Sequence, residues 1–169
     1  MSYAQAASQS SDHVWFLGGS FAAVPQGGQV VAIATRTCSV PTGTFLFIPI
    51  INAEASTLEG NGTTAAALLA FAQSLQDEAR NMSITIDGVA VPDVADYRVK
   101  SVFTYGPLPA NNLLGQPAGS TSLAAGDGVY VMVKPLDVGE HTIHFHGEAP
   151  AFGFLLDITY NITVSPGSH

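Results

Sequence analysis

Pro135-Leu136-Asp137-Val138-Gly139-Glu140-His141-Thr142-Ile143-His144-Phe145-His146-Gly147 joins a turn to a strand that alternates without interruption. At period two, Thr142, His144 and His146 face one way while Ile143 and Phe145 face the other. That is the signature of a half-buried strand, with an apolar face for a core and an imidazole face left outside. The stretch holds three of the chain's five histidines, so it is also where a chemical site suggests itself.

Working outward, the same alternation recurs. From Phe154 to Val164, Leu156, Ile158, Tyr160 and Ile162 share a face opposite Asp157, Thr159, Asn161 and Thr163. Ser83 to Val91 alternates around Asp87-Gly88, a pair suited to a two-residue hairpin turn that needs positive φ. Val14 to Leu17, Val30 to Ile33, Arg36 to Val40, Tyr97 to Tyr105 and Val129 to Val133 read as further strands. Gly18-Gly19, Pro25-Gln26-Gly27-Gly28 and Pro41-Thr42-Gly43 punctuate them. Thr44 to Ile51 is apolar enough for a central strand, but Pro49 lacks an N–H, so the strand is expected to end, bulge or lie at an edge there. Asn52 and Glu54 are expected just beyond that strand's end. One helix is expected near 64–80, capped by Thr63 or Thr64, with Leu68, Phe71, Ala72, Leu75 and Ala79 on its apolar stripe and Asn81 as its stop. Pro107 to Gly128 is almost uncharged and reads as a long loop of functional or assembly character. These elements predict a mainly β protein, an antiparallel β-sandwich of jelly-roll or immunoglobulin-like type with one covering α-helix. Residues 1–12 are expected to be a flexible N-terminal segment and 13–165 a single domain.

Composition narrows the partners. Only 11% of the 169 residues are charged and 47% are hydrophobic, against roughly 25% charged in ordinary soluble domains. No run approaches the ~18 apolar residues of a membrane span. A chain with so little charge is expected to cover part of its surface with copies of itself. The net charge of −8 argues against nucleic acid and against anionic membrane surfaces. Cys38 is single, so no intrachain disulfide is available. Residues 1–12 carry no basic n-region and no apolar h-region and are not expected to be a signal peptide. Asn61, Asn81 and Asn161 nevertheless stand in N-x-S/T sequons, which favour a secreted or envelope origin.

Several blocks occur together: Val14-Trp15-Phe16-Leu17-Gly18-Gly19, Arg36 to Gly43, Phe47-Ile48-Pro49-Ile50-Ile51-Asn52, Tyr97-Arg98-Val99, and Lys134 to Gly147 with Asp157-Ile158-Thr159-Tyr160. The chain resembles in them a family of mostly secreted, uncharacterised bacterial proteins with W-F-L-x-G, C-x-V-P-x-G, F-P-x-x-N and L-x-x-G-x-H-T-I-H-F blocks. The resemblance implies a secreted β protein and no particular activity. The closing hairpin is also similar to the last hairpin of bacterial immunoglobulin-like domains, which implies fold alone.

His144 and His146, at i and i+2, have Cα atoms roughly 6.5 Å apart at ~3.3 Å rise per residue, so both rings are able to converge on one ion. Glu148 is the candidate third ligand, with Asn52, Glu54 and His13 as outside candidates and Zn or Cu as the metal. His141 has the opposite parity and is expected to be a satisfied turn histidine. Glu54 with His144 is a candidate acid–base pair, although Glu54 is equally a loop carboxylate partnered by Arg36 or Arg98. The leading expectation is a non-enzymatic extracellular or envelope module that self-associates or binds a partner. A small His-site metal protein or metalloenzyme is the alternative. A carbohydrate-binding domain with Trp15, Tyr97 or Tyr105 as stacking platforms is the third.

Overall fold

In the computed structural model, which describes residues 9, 13–19, 24–26 and 29–166, the two alternating stretches of the C-terminal third pair with each other. Strand β9 (Gly139–Ala149) runs antiparallel to β10 (Phe154–Ser165), with Phe145 opposite Ile158 and Ile143 opposite Tyr160. Alternate residues are buried from Ile143 onward on β9 and from Leu156 onward on β10: Ile143 and Phe145, and Leu156, Ile158, Tyr160, Ile162 and Val164. The expected segment 1–12 lies, apart from Gln9, outside the described residues.

The remaining elements are β1 (Val14–Phe16), β2 (Val24–Gln26), β3 (Gln29–Pro41), β4 (Phe45–Ser56), α1 (Ala65–Gln76), β5 (Arg80–Ile86), β6 (Val89–Ala90), β7 (Arg98–Tyr105) and β8 (Ser122–Val133). Two 3-10 turns, Val94–Tyr97 and Pro150–Phe152, interrupt the strands. A six-stranded sheet has the order β2-β3-β10-β9-β5-β6 and a four-stranded sheet the order β1-β4-β8-β7. Both sheets are mixed rather than antiparallel as expected, because β3 lies parallel to β10 and β1 parallel to β4. Parallel partners are joined by long crossovers, and alternation within a strand carries no record of them.

The chain folds as two compact units, Met1–Ile51 with Ala79–Tyr97 and Val129–His169, and Asn52–Glu78 with Arg98–Gly128. In the first unit one core takes Leu46, Ile48, Ile50, Val129, Val131 and Val133 from the four-stranded sheet. It takes Cys38, Val40, Ile84, Phe145, Ile158 and Tyr160 among others from the six-stranded one. Tyr160 is fully buried, yet its hydroxyl donates to the Gly18 carbonyl at 2.8 Å and accepts from Arg36 at 2.9 Å. Arg36 therefore meets a hydroxyl, a carbonyl and a π face instead of Glu54. Pro49 is accommodated within β4: Phe47 accepts from Leu17 on the β1 side, and the last register pair there is Phe16 with Phe47. The missing N–H of Pro49 faces the same side two residues later, where β1 has ended.

The Asp87-Gly88 hairpin forms as its chemistry demands, with φ of 52° and 79° and Ile86 opposite Val89. Between Arg80 and Ser83 the register against β9 slips by one residue, since Arg80 pairs with Glu148 and Ser83 with His146. This is a β-bulge, and Asn81 sits in it at φ 53°, a conformation asparagine tolerates better than most residues.

In the second unit, α1 is capped by the Thr64 side chain bonding the Ala67 N–H. It ends at Gln76, short of the expected residue 80, because Arg80 is recruited to the β5 ladder opposite Glu148. Its buried stripe is Leu68, Ala72 and Gln76 at i, i+4, i+8, and Phe71 is left 39% exposed. Leu68 and Ala72 pack on Ala55 and Ala125, small side chains that admit a helix closely. Strand β4 does not end at Ile51 but continues to Ser56, so Asn52 and Glu54 lie on a strand rather than beyond one. Strand β8 begins at Ser122, inside the expected loop. Ser-Leu-Ala-Ala-Gly-Asp-Gly has poor β-propensity and conceals it.

Asp127 on β8 is 0% exposed and takes a two-pronged hydrogen bond from Arg98 on β7, at 2.8 and 2.6 Å. Arg98 also reaches Asp77, just past α1, at 2.7 Å. Its guanidinium is held above its ordinary pKa chiefly by the hydrogen bond to Asp127. Replacing Arg98 by Met strands a buried carboxylate, so urea denaturation is expected to show a loss of about 3 kcal/mol. Arg98→Met/Asp127→Leu is expected to recover most of that loss, because no unpaired charge then remains buried.

Candidate functional site

The outer face of β9 and β10 brings the candidate side chains together. His146 lies opposite Asp157 in register, and His144 opposite Thr159. His144 Nε2 meets Asp157 Oδ1 at 3.1 Å, and Asp157 Oδ2 meets His146 Nδ1 at 3.1 Å. His146 Nε2 meets Glu148 Oε1 at 3.0 Å, and Asn81 Nδ2 donates to Glu148 Oε2 at 3.1 Å. The result is an alternating chain of imidazole and carboxylate, His144–Asp157–His146–Glu148–Asn81, within the first unit and partly open to solvent. Glu148 is held below its ordinary pKa, first by its hydrogen bond to His146 and then by that to Asn81.

This geometry is linear rather than convergent. Asp157 stands between the two imidazoles, and both nitrogens of His146 are committed to carboxylates on opposite sides. Among the described residues no group of three or more His, Cys, Asp or Glu is arranged to hold a metal ion, so His144, His146 and Glu148 share a face without forming a cage. Each His146 contact needs one proton between its two heavy atoms, carried by the ring nitrogen or by the carboxyl.

Asp157 was not among the expected site residues, and Asn81 was expected as a sequon and a helix stop, not as a partner of Glu148. The outward parity of Asp157 is visible in the alternation of Leu156 and Ile158, but its pairing with His146 needs the β9–β10 register. Asn81 reaches Glu148 from the bulge in β5, which leaves no sequence pattern.

Glu54 is in the second unit and hydrogen-bonds Glu59, while His144 bonds Asp157. Glu59 accepts from Ser56 Oγ at 2.6 Å, and Ser56 Oγ accepts from the Tyr105 hydroxyl at 3.0 Å. Burial, followed by the Glu59 hydrogen bond and charge, pushes Glu54 up to about 7. Arg36 and Arg98, the cations expected to neutralise Glu54, are engaged by Tyr160 and by Asp127 and Asp77 instead.

His141 is the third residue of β9, opposite Ile162, so it stands on the strand rather than in the turn where it was expected. Its Nδ1 meets Asp87 Oδ2 and its Nε2 the Asp137 carbonyl, each at 2.8 Å. Both partners are acceptors, so the imidazolium satisfies both. Hydrogen bonding to Asp87 raises the His141 pKa, and hydrogen bonding to His141 lowers that of Asp87. The stacking platforms separate: Trp15 packs against the first core, the Tyr105 hydroxyl is tied to Ser56, and Tyr97 is exposed. Of the sequon asparagines, Asn61 accepts from the Ser56 N–H, Asn81 holds Glu148, and Asn161 stands exposed in the middle of β10.

No protein-family model matches the chain, and no curated protein matches it. Among solved structures, one titled "Structure of PbICP-C in complex with falcipain-2" aligns over 92% of this chain and 99% of that one, at 15% identity and a TM-score of 0.29. A similarity of that size carries neither fold nor function.

The His141–Asp87 pair sets a pH window. The raised His141 contributes stability fully below its ordinary 6.5 and loses it as pH rises through the folded value. The lowered Asp87 contributes above its ordinary 3.8 and loses that as pH falls through its folded value. The stability difference between wild type and His141→Gln, read from thermal melts, is expected to be flat and largest between pH 3.8 and 6.5 and to shrink on both sides. Glu54 has the opposite sign, because a raised carboxyl opposes folding once it must ionise. Glu54→Gln is expected to raise the melting temperature at pH 8 and leave it unchanged near pH 4, below the ordinary 4.5.

Proposed function

We propose that the protein is a non-enzymatic β-sandwich module, of the immunoglobulin-like or jelly-roll kind, that self-associates in an extracellular or envelope setting. The observation that carries this is β7. It ends the four-stranded sheet, and every residue from Arg98 to Thr104 is exposed. Val99 is 58% exposed, with Val102 and Phe103 at about 40%. An eight-residue edge strand with open backbone groups and apolar side chains is a template for another strand.

The occupant that fits is β7 of a second copy. Antiparallel pairing about a two-fold axis through Ser101 sets Val99 opposite Phe103 twice, Lys100 opposite Val102 and Arg98 opposite Thr104. No cation faces a cation, so the strand is complementary to itself. The sequons and the resemblance to secreted bacterial proteins support the setting. The low charge of the chain supports the association.

Sedimentation velocity over a concentration series tests the association. Wild type is expected to form a dimer, and Val99→Lys/Val102→Lys to remain monomeric with an unchanged thermal melt, since both positions are exposed. A wild type that stays monomeric at millimolar concentration would end the proposal.

A further inference from the structure

The second unit carries a hollow of about 370 Å3 lined by Gln73, Asp77, Arg98, Lys100 and Asp127. All five residues belong to that unit, and every one is polar or charged. In a chain only 11% charged, two of the five cations face this one space. The volume falls within the roughly 300–1,000 Å3 of small-molecule sites. With no apolar or aromatic wall, the hollow suits a polar occupant.

Its two walls differ in charge. On the strand side, Arg98 and Lys100 stand at i and i+2 on one face of β7. Asp127 engages the Nε and Nη2 groups of Arg98, and Asp77 shares Nη2. A guanidinium has five N–H donors, so those on Nη1 are left for a ligand. Lys100 makes no ion pair among the described residues, and its charge is unspent. On the helix side, Gln73 lies in the last turn of α1 and Asp77 directly follows the helix. That end carries the negative pole of the helix dipole, and the side-chain oxygens of Gln73 and Asp77 accept O–H donors. An anion is therefore attracted to the strand wall and repelled by the helix wall.

We propose that the hollow binds a hydroxylated monocarboxylate of the size of a six-carbon sugar acid. The carboxylate meets Lys100 and Arg98 Nη1, in charge-assisted hydrogen bonds, while the hydroxyls bond Asp77 and Gln73. Arg98 already answers Asp127, so Lys100 supplies the one cationic charge still unpaired, which matches a single carboxylate. A phosphate dianion brings a second negative charge toward Asp77. The site does not rest on β7 pairing: one is read as heat of ligand binding and the other as sedimentation, so either fails alone.

Isothermal titration of the full chain with glucuronate tests it. Saturable binding is expected, with glucose, acetate and phosphate each weaker by about tenfold or more. Lys100→Met and Gln73→Leu are each expected to weaken glucuronate about tenfold with unchanged circular dichroism, and Lys100→Arg to retain it. Lys134→Met removes the same charge from an exposed position in the first unit and is expected to bind as wild type. A disaccharide ending in glucuronate, titrated alongside, separates a glycan end from the free acid by which binds more tightly. Absence of saturable glucuronate binding, equal binding of any of the three controls, or an equal loss in Lys134→Met overturns the proposal.

Discussion

The register of β9 against β10 is the constraint on which the first unit depends. Pairing Phe145 with Ile158 and Ile143 with Tyr160 places the four side chains in one core. The same register leaves His144 and His146 beside Asp157 outside. A slip of one residue would bury imidazoles and expose phenylalanine. The core and the outer imidazole–carboxylate chain are therefore two consequences of one alignment. Tyr160 extends it: its ring stacks with Phe145 at a centroid distance of 6.2 Å, and its hydroxyl gathers Gly18 and Arg36.

The second unit has a different anchor. Its apolar cluster is small, built from Ala55, Leu68, Ala72 and Ala125, and alanines bury little area each. Polar pairing supplements it. Arg98 links β7, β8 and the end of α1 through Asp127 and Asp77, while Tyr105, Ser56, Glu59 and Glu54 form a second network. With five cations against thirteen carboxylates, not every acid finds a base. Glu54, beside Glu59, is instead pushed up to about 7 by burial first and by that neighbour second. Polar bonds of this kind leave β7 attached on one side, with its apolar residues facing water.

Much of the architecture was legible beforehand because hydrophobic alternation and turn chemistry are local. The faces of β9 and β10, the Asp87-Gly88 hairpin and the Thr64 cap all follow from residues within a few positions of one another. The strand at Ser122–Gly128 was hidden because alanine, glycine and aspartate carry no β signal; burial against α1 and the Arg98 bond impose it. The early end of α1 has a related origin. Alanine propensity favours helix through Ala79, but the β9 ladder recruits Arg80. Of the imidazole–carboxylate chain, His144, His146 and Glu148 were visible as a parity set, and Asp157 and Asn81 were not.

The amino-acid sequence alone determined which side chains face inward on each strand, since period-two alternation is a property of the extended backbone itself. It also determined that the chain is acidic, poor in charge and mainly β. Tertiary structure decided which strands are neighbours, and with that the parallel pairings of β1 with β4 and β3 with β10. It decided that Asp157 separates the two histidines, that Arg98 serves Asp127 instead of Glu54, and that β7 stands at an edge. Those outcomes join residues distant along the chain, and the free energy choosing among them resides in the packed whole rather than in any window of sequence.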